Sequence, residues 1–344
     1  MKNYFRLFAL LPSLLILSHL SCTKSYSVSP LNVALPTPTP TFSPTPTINN
    51  ATLGWVLSTS TASFGLRAGH TLVNFNNAIW LIGGYNGSTF YHDVWKSTDG
   101  VNWTQVTPAA AFSGRYAHGG IVYNNKIWVI GGTYNGTNTL NDVWSSADGL
   151  TWNMVTGSAA FGVRAAHTCL VYNNKMWVIA GSPDGSTAYS DAWSSTDGIT
   201  WSPATTTAAF GSRVYAAGVV HNGKMWYLGG IDTGTFSFYS DVWSSTDGAT
   251  WTQATSTAAF GPRAYFATLD FNGAMWVLAG ANNFSGTSLN DSWYSADGIT
   301  WSQAGGTPFT PSRAYPSAVT YNNKMWLIGG YPYPSFIGDV WHSP

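Results

Sequence analysis

The chain has 344 residues, of which only 8% are charged, and its formal net charge at pH 7 is zero. All 14 acidic residues are Asp, so the sequence contains no Glu. Beyond the first residues no cluster of Lys or Arg is present, which excludes the basic stripe that nucleic-acid binding requires.

Residues 1–21 have the pattern of a secretory signal. Two basic residues precede an apolar run at 7–17, which is too short to span a bilayer. The dipeptide Ser21-Cys22 resembles the end of a bacterial lipobox, in which the Cys is acylated and becomes the mature N-terminus. An ordinary cleaved signal is the alternative, since His19 stands where an aliphatic residue is usual. We expect export to a bacterial cell envelope and a lipid anchor at Cys22 in the outer membrane or at the surface, with a periplasmic or secreted protein as the alternative.

Residues 22–50 form a linker rich in Ser, Thr and Pro, with the run PTPTPTFSPTPT near its end. This composition cannot pack a core and favours an extended, polyproline-like chain, so we expect a semi-rigid stalk. After Cys22 the sequence contains only Cys169, so no disulfide forms within the folded domain. The apolar neighbours of Cys169 predict an inert, buried thiol.

Residues 51–344 carry six copies of one unit. The 18 Trp of the sequence fall into three contexts of six: an apolar run ending in Gly, a segment that follows an Asp, and a segment that follows an Asp-Gly turn. A period of 48–50 residues is the signature of a closed propeller of β-blades. Because one unit cannot bury its apolar face alone, the copies must share a core and form a single domain.

Each copy predicts four short strands, which we name a, b, c and d. In the second copy they correspond to HGGIVYNN, KIWVIGG, DVWSSADG and LTWNMV. Alternate connections of an up-and-down sheet lie at opposite ends, so the b–c loops and the d–a links share one face, here named the loop face. The a–b and c–d turns share the other, the turn face. The b–c loops vary in length from 8 to 10 residues, and the loop face carries nearly all the sequence variation.

The order of recurring positions within a copy resembles the kelch motif. An Arg, often a His three residues later, NNKMWVIGG, a variable loop, DVW and a final Trp recur over roughly residues 52–343. The Gly-Gly pair changes to Ala-Gly at 180–181 and 279–280. The Asp-Gly turns also resemble the Asp-box of bacterial sialidases, but lack the residue between Asp and Gly. The resemblance implies that the Trp, Gly and Asp-Gly positions are scaffold, and that the one Arg per copy hydrogen-bonds between blades. A ring of Arg near the channel mouth is the alternative.

The strand count predicts how the ring closes. The array begins with strand d around Trp55 and ends with strand c around Trp341, so the last blade, which starts at Arg313, has no strand d of its own. The N-terminal strand must supply it, which leaves no unpaired edge at the seam. The predicted fold is therefore all-β: a six-bladed β-propeller of four-stranded antiparallel blades, closed by the N-terminal strand.

Just after the Arg of each copy, the two halves of the array differ. The first three copies carry a His and the last three a Tyr, and these are candidate ligand-binding residues: His70, His118, His167, Tyr215, Tyr265 and Tyr315. Three interpretations are open: duplicated blade types with His between blades, a ligand site with His and Tyr on opposite walls, or a three-His metal site. Metal ligands must converge within about 2.1 Å of the ion, which neighbouring blades seldom permit, so we expect no metal and no cofactor.

Aromatic residues of the b–c loops complete the candidate ligand-binding set: Tyr85, Tyr134, Phe238 and Tyr333. Aromatic rings suit both sugar stacking and protein anchors. Candidates for acid–base catalysis are few, because only Asp184, Asp232 and Asp270 lie outside the repeated positions. The sequence thus predicts a monomeric, non-enzymatic protein without catalytic residues, which binds a protein or glycan through the loop face. The alternative is a carbohydrate-active enzyme on the same face, of sialidase, sugar epimerase or galactose-oxidase type.

Overall fold

The computed structural model describes residues 54–284, 287–305 and 309–344. The predicted signal at 1–21, the linker at 22–50 and the candidate lipidation site Cys22 lie outside the described residues. Within the described ranges, no helix is long and apolar enough to cross a membrane.

The described residues are organised into strands and connecting loops. The strands are β1 Val56–Thr59, β2 Thr71–Phe75, β3 Ala78–Ile82, β4 Val94–Ser97, β5 Thr104–Thr107, β6 Gly119–Tyr123, β7 Lys126–Thr133, β8 Thr139–Ser146, β9 Asn153–Thr156, β10 Thr168–Tyr172, β11 Lys175–Ile179, β12 Ala192–Ser195, β13 Ser202–Thr205, β14 Ala217–His221, β15 Lys224–Leu228, β16 Val242–Ser245, β17 Thr252–Thr255, β18 Ala267–Phe271, β19 Ala274–Leu278, β20 Ser292–Ser295, β21 Ser302–Gln303, β22 Ser317–Tyr321, β23 Lys324–Gly330 and β24 Ile337–His342.

These strands form six four-stranded antiparallel sheets, one per blade. Blades one to five are β2–β5, β6–β9, β10–β13, β14–β17 and β18–β21, each in chain order. Blade six has the order β22-β23-β24-β1. The predicted six-bladed, all-β propeller is confirmed, with strands a, b, c and d in the predicted places.

The N-terminal strand closes the ring, as predicted. In β1, Val56 lies opposite His342 and Leu57 opposite Trp341 of β24. Trp55 is only 7% exposed and packs edge-on against Phe309, with ring centroids 5.8 Å apart. The exposed outer strand β1 is therefore held to the last blade by its pairing with β24 and by the buried Trp55 that precedes it.

The Asp-Gly turns have a structural role, because the Gly of each turn packs against the ring of the b-strand Trp in the preceding blade. Gly149 adopts a φ of 72°, and a Cβ at this position would lie 2.1 Å from the ring of Trp80 in blade one. The turn Asp stabilises the same segment from within: Asp99 accepts hydrogen bonds of 2.8 Å from the backbone N–H groups of Val101 and Asn102. The same Trp–Gly packing recurs at four further interfaces between neighbouring blades: Trp128–Gly198, Trp177–Gly248, Trp226–Gly298 and Trp326–Gly100.

Strand direction places the chain's entry and exit on one face. Like every strand d, β1 starts at the turn face and runs toward the loop face, whereas β24, a strand c, ends at the turn face. Residues that precede β1 therefore join the propeller on the turn face. The loop face, where the variable loops lie, is the opposite end of the disc.

Candidate functional site

Each blade contains one buried ion pair beneath the loop face. Arg67 donates from Nη1 to Oδ1 of Asp93 at 2.7 Å and from Nη2 to Oδ2 at 3.0 Å, and also bonds the Gly83 carbonyl. Bidentate pairing of this kind is strong and geometrically specific. It recurs in every blade, with Arg side chains only 0–2% exposed: Arg115–Asp142, Arg164–Asp191, Arg213–Asp241, Arg263–Asp291 and Arg313–Asp339.

The Arg side chains tie their own blade together, while their backbone joins neighbouring blades. Arg115 donates its N–H to the Tyr91 carbonyl at 2.9 Å, and its carbonyl accepts from the N–H of Gly84 at 2.8 Å, both in blade one. The predicted hydrogen bonding between blades is thus made by the backbone of these residues and not by their guanidinium groups. The alternative, a ring of Arg at the channel mouth, is wrong, because each side chain turns into its blade to meet the Asp.

The residues two positions after each Arg form a closed ring of hydrogen bonds around the channel mouth. All six have φ between 52° and 62°, which directs each N–H and C=O along the circumference. The bonds, with N···O distances of 2.8–3.3 Å, run from Gly69 to Tyr315, Ala117 to Gly69, Ala166 to Ala117, Tyr215 to Ala166, Tyr265 to Tyr215 and Tyr315 to Tyr265. Sequence analysis missed this ring, because its members share a backbone conformation and not a side chain.

The three Tyr of the ring fill one half of the channel mouth. Tyr265 packs against Tyr315 and Tyr215, with ring centroids 4.3 Å and 4.4 Å apart. Tyr215 also packs edge-on against Tyr315, with ring centroids 5.4 Å apart, and the ring of Tyr116 lies beside Gly69 on the other half. Burial raises the pKa of each of the three ring phenols above the ordinary value of 10.0, so they are neutral groups.

The other half of the ring is built from Gly69, Ala117 and Ala166, which leave space. An open cavity of about 140 Å³ lies at the mouth, lined by these small residues, the three Tyr and the three candidate His. The structure therefore brings all six of these sequence-predicted residues to one place. Ligand binding by them stays a prediction.

The His side chains are wedged between blades. His118 is 7% exposed, and a Cβ at Gly83 of blade one would lie only 3.0 Å from its Cε1 atom. His70 lies in the same way against Gly329, and His167 against Gly131. This place between blades differs from the inward position of the Tyr rings. A ligand site with His and Tyr on opposite walls of the cavity stays a prediction.

The position of these His rings between blades is explained by their shape and not by hydrogen bonding. Phe266 of blade five occupies the same place against Gly229 of blade four, and the ring nitrogens of His70 and His118 have no hydrogen-bond partner among the described residues. The two blades in which Ala-Gly replaces Gly-Gly follow the same rule. Where Ala180 and Ala279 replace the first Gly, the next blade has Ala216 and Pro316 in the place of the His or Phe ring. A Gly thus faces a large ring, and an Ala faces a smaller side chain.

Burial keeps these imidazoles neutral. Desolvation, and then the nearby Arg67 charge, lower the pKa of His70 from 6.5 to about 3. The pKa of His167 is also lowered to about 3, by burial and by Arg164, against a weak opposing effect of the Ile130 backbone. Within the described ranges no group of three or more His, Cys, Asp or Glu is arranged to hold a metal, so the three-His metal interpretation finds no site here.

A contiguous group of six aromatic rings, which we name the aromatic crescent, lies on the loop face beside the mouth. It consists of Tyr333, Tyr331 and Phe336 of blade six, Tyr85 and Phe90 of blade one, and Tyr116 of blade two. Neighbouring ring centroids are 4.4–6.1 Å apart. Tyr333 at the rim is 59% exposed, whereas the others are half-buried.

The remaining candidates lie elsewhere on the loop face. Phe238 packs against Phe284, which also contacts Phe236, in a second cluster across blades four and five. Tyr134 is 39% exposed in the b–c loop of blade two, and its hydroxyl accepts a hydrogen bond of 3.1 Å from Asn138. These rings do not contact the crescent through any described aromatic pair.

The three Asp that lie outside the repeated positions have structural partners. Asp184 accepts hydrogen bonds from the N–H groups of Ser186 and Thr187, and Asp232 shapes its own loop in the same way. Burial alone would raise the pKa of these two carboxyls, but the hydrogen bonds outweigh it and lower the pKa. Asp270 pairs with Nδ1 of His221 at 2.6 Å, at the turn end of its strand.

The architecture agrees with known proteins. The family described as the KLHDC2/KLHL20/DRC7 Kelch-repeats domain matches residues 69–259. The solved structure of YjhT superposes with a TM-score of 0.68 over 82% of this chain and 96% of its own, at 16% identity, a likeness that shows the fold alone. No curated protein matches the sequence. Since the family match covers more than half of the chain, and each blade carries the Arg, Gly and Trp positions of the repeat, this protein belongs to the kelch-repeat β-propeller family.

Proposed function

We propose that the protein is a non-enzymatic binding module, exported to a bacterial cell envelope and lipid-anchored at Cys22, that binds a protein or glycan through the loop face. The observation that carries the proposal is the difference in structure between the two faces. Repeated turns build the turn face, whereas the variable loops, the channel mouth and the exposed aromatics share the loop face. Variable loops on a constant scaffold are where binding functions concentrate.

The point of entry of the chain supports an anchored arrangement. β1 starts at the turn face, so a lipid at Cys22, linked to β1 through the predicted stalk, would direct the loop face away from the membrane. The stalk would reach at most about 3 Å per residue in an extended conformation. A ligand outside the membrane would then meet the variable loops first.

The use of carboxylates in the scaffold supports a non-enzymatic function over the carbohydrate-active alternative. All 14 acidic residues lie in the described ranges. Six pair with Arg, five shape Asp-Gly turns, Asp184 and Asp232 shape loops, and Asp270 pairs with His221. Glycosidic acid–base chemistry needs two carboxyls that flank the sugar bond, whereas Asp184 and Asp232 on the loop face accept hydrogen bonds from the backbone of their own loops.

The binding proposal is tested with the purified domain on a glycan array and as bait in a pull-down from envelope extract. Tyr333→Ala removes an exposed ring of the loop face, and Met154→Ala, 58% exposed on β9, is the matched control. We expect the first variant to lose ligand and the second to retain it. Turnover of a glycoside or sugar that is abolished by Asp184→Asn or Asp232→Asn would overturn the non-enzymatic proposal in favour of the enzyme.

The anchor is tested separately. Cells that express the wild type or Cys22→Ala are labelled with a fatty-acid analogue. We expect label only in the wild type. Equal label in both would replace the anchored protein with a periplasmic or secreted one, and would leave the binding proposal intact.

A further inference from the structure

We propose that the aromatic crescent binds an extended, neutral oligosaccharide that runs from Tyr333 at the rim to Tyr116 at the channel mouth. This inference rests on the proposed function and specifies its ligand. Three properties of the loop face lead to it: its lack of available cations, the kind of apolar side chain that it exposes, and the rigidity of its rings.

Among the described residues, the Arg and Lys side chains are not available on the loop face. All six Arg side chains are bound to Asp within their blades and are at most 2% exposed. Lys126, Lys175, Lys224 and Lys324 begin b strands at the turn face, and Lys96 lies near the turn end of β4. The remaining formal charges of the loop face are the carboxylates Asp184 and Asp232. An anionic sugar, such as a uronate or sialate, would find no described guanidinium or ammonium to bind.

Among the described residues, exposed aromatic side chains are confined to the loop face, which also exposes the aliphatic Leu66 and Val163 of its d–a links. The exposed aromatics, Tyr134, Phe236, Phe284 and Tyr333, all lie in b–c loops of the loop face. The residue after each Asp-Gly on the turn face is instead aliphatic, and four of these five are 46–60% exposed: Val101, Leu150, Ile199 and Ile299. Flat rings with polar hydroxyls suit the alternating C–H and hydroxyl surfaces of a sugar, and binding sites of this kind combine aromatic walls with a few polar groups.

The rings of the crescent are held before any ligand arrives. Phe90 stacks on Tyr85 at 4.4 Å and an interplanar angle of 26°, and Phe336 closes against Tyr85 edge-on. In the same loop, the side chain of Asn86 bonds the N–H groups of Ser88 and Thr89. A preformed platform loses little side-chain entropy on binding, which favours weak ligands that repeat one unit along a chain.

The test is affinity electrophoresis of the mature propeller through gels with soluble polysaccharides. The neutral probes are laminarin, galactomannan and hydroxyethylcellulose, and the anionic probes are alginate and polygalacturonate. We expect retardation by at least one neutral polymer, with a dissociation constant that changes less than twofold between 0.05 and 0.5 M NaCl, since no screened charge pair contributes (about 0.05–0.5 M spans Debye lengths of roughly 14 to 4 Å). Tyr333→Ala should weaken retardation at least about fivefold, Tyr333→Phe less than twofold because stacking is kept, and Met154→Ala not at all.

Each other outcome has a defined meaning. Tighter binding of the anionic polymers, steep loss of binding with salt, or no effect of Tyr333→Ala overturns the neutral-sugar inference. Absence of retardation by all five polymers also overturns the neutral-sugar inference. If a pull-down then captures a protein with the wild type and not with Tyr333→Ala, the proposed binding function is retained, with a protein as the ligand. Chemical turnover of a polymer would instead overturn the proposed function itself.

Discussion

The two halves of the propeller share one backbone and differ in what they place in the channel. Blades one to three contribute Gly69, Ala117 and Ala166 to the hydrogen-bonded ring, and blades four to six contribute three Tyr. The φ angles and N–H···O=C bonds of the two halves are nevertheless alike. The comparison teaches that this ring is specified by main-chain geometry, so the side chains at its six positions are free to vary, and an open half can face a filled one.

The largest expected effect comes from the seam, which lies in the tyrosine half. Deleting residues 51–58 removes Trp55 and most of β1, and exposes the partner strand β24. Truncation of one large buried aromatic typically costs about 3–5 kcal/mol, which is a large share of a net stability of about 5–15 kcal/mol. Thermal denaturation should show a strongly destabilised domain. Deletion of residues 23–48 is the control and should leave the melting temperature almost unchanged; an equally harmless loss of 51–58 would contradict closure by β1.

A second substitution tests why Gly83 packs against His118 at one interface between blades, whereas Ala180 packs against Ala216 at another. Gly83→Ala should destabilise the domain by about 2 kcal/mol, because the new Cβ would lie 2.9 Å from the Arg115 carbonyl oxygen and 3.0 Å from the His118 ring, and because the φ of 64° is strained for Ala. His118→Ala in the same chain should recover about 1 kcal/mol, since it recreates the Ala180–Ala216 joint. Urea unfolding of the two single variants and the double variant measures the coupling. Strictly additive effects would show that the His ring does not require the Gly.

The tyrosine half should make the protein sensitive to alkali. The pKa of Tyr215, Tyr265 and Tyr315 is raised by burial, so the unfolded chain releases protons near pH 10 while the folded chain keeps them. Stability is therefore complete below pH 10 and falls as the pH rises above it, by up to about 1.4 kcal/mol per pH unit for each phenol. Unfolding free energies between pH 9 and 11 should show this slope, and Tyr265→Phe should reduce it. An unchanged slope in that variant would contradict the prediction.

The histidine half should show the opposite response, a loss of stability in acid. The pKa of His118 is lowered well below 6.5 by burial first and by Arg115 second, so below pH 6.5 the unfolded chain binds a proton that the folded chain refuses. Stability is complete above pH 6.5 and declines as the pH falls toward the folded-state value. His118→Phe, which copies the natural Phe266 of blade five, should reduce the acid slope with little change at pH 8. If this variant instead unfolds at pH 8, the imidazole has a polar role that shape does not explain.

The blade count and the closure could be predicted from sequence because both follow from local signals, the spacing of Trp and the missing strand d after Trp341. The Arg–Asp pairs could have been predicted, since each copy has one Arg and, 26–28 residues later, an Asp directly before strand c. The ring could not be predicted, because Gly, Ala and Tyr all adopt its conformation and no residue type reports a positive φ of this kind. The role of Asp184 was signalled by the Asp-Gly-Ser-Thr segment, which favours a turn, but a turn residue and a site residue are alike in sequence.

The position of β1 also determines how the domain would carry a mechanical load. Force applied at the N-terminal end and resisted by a ligand on the loop face would pass along β1, which runs from one face to the other. The hydrogen bonds between β1 and β24 would then be loaded together in shear and would not peel one at a time. A strand that completes the circle would in this way also be the part of the molecule that resists pulling.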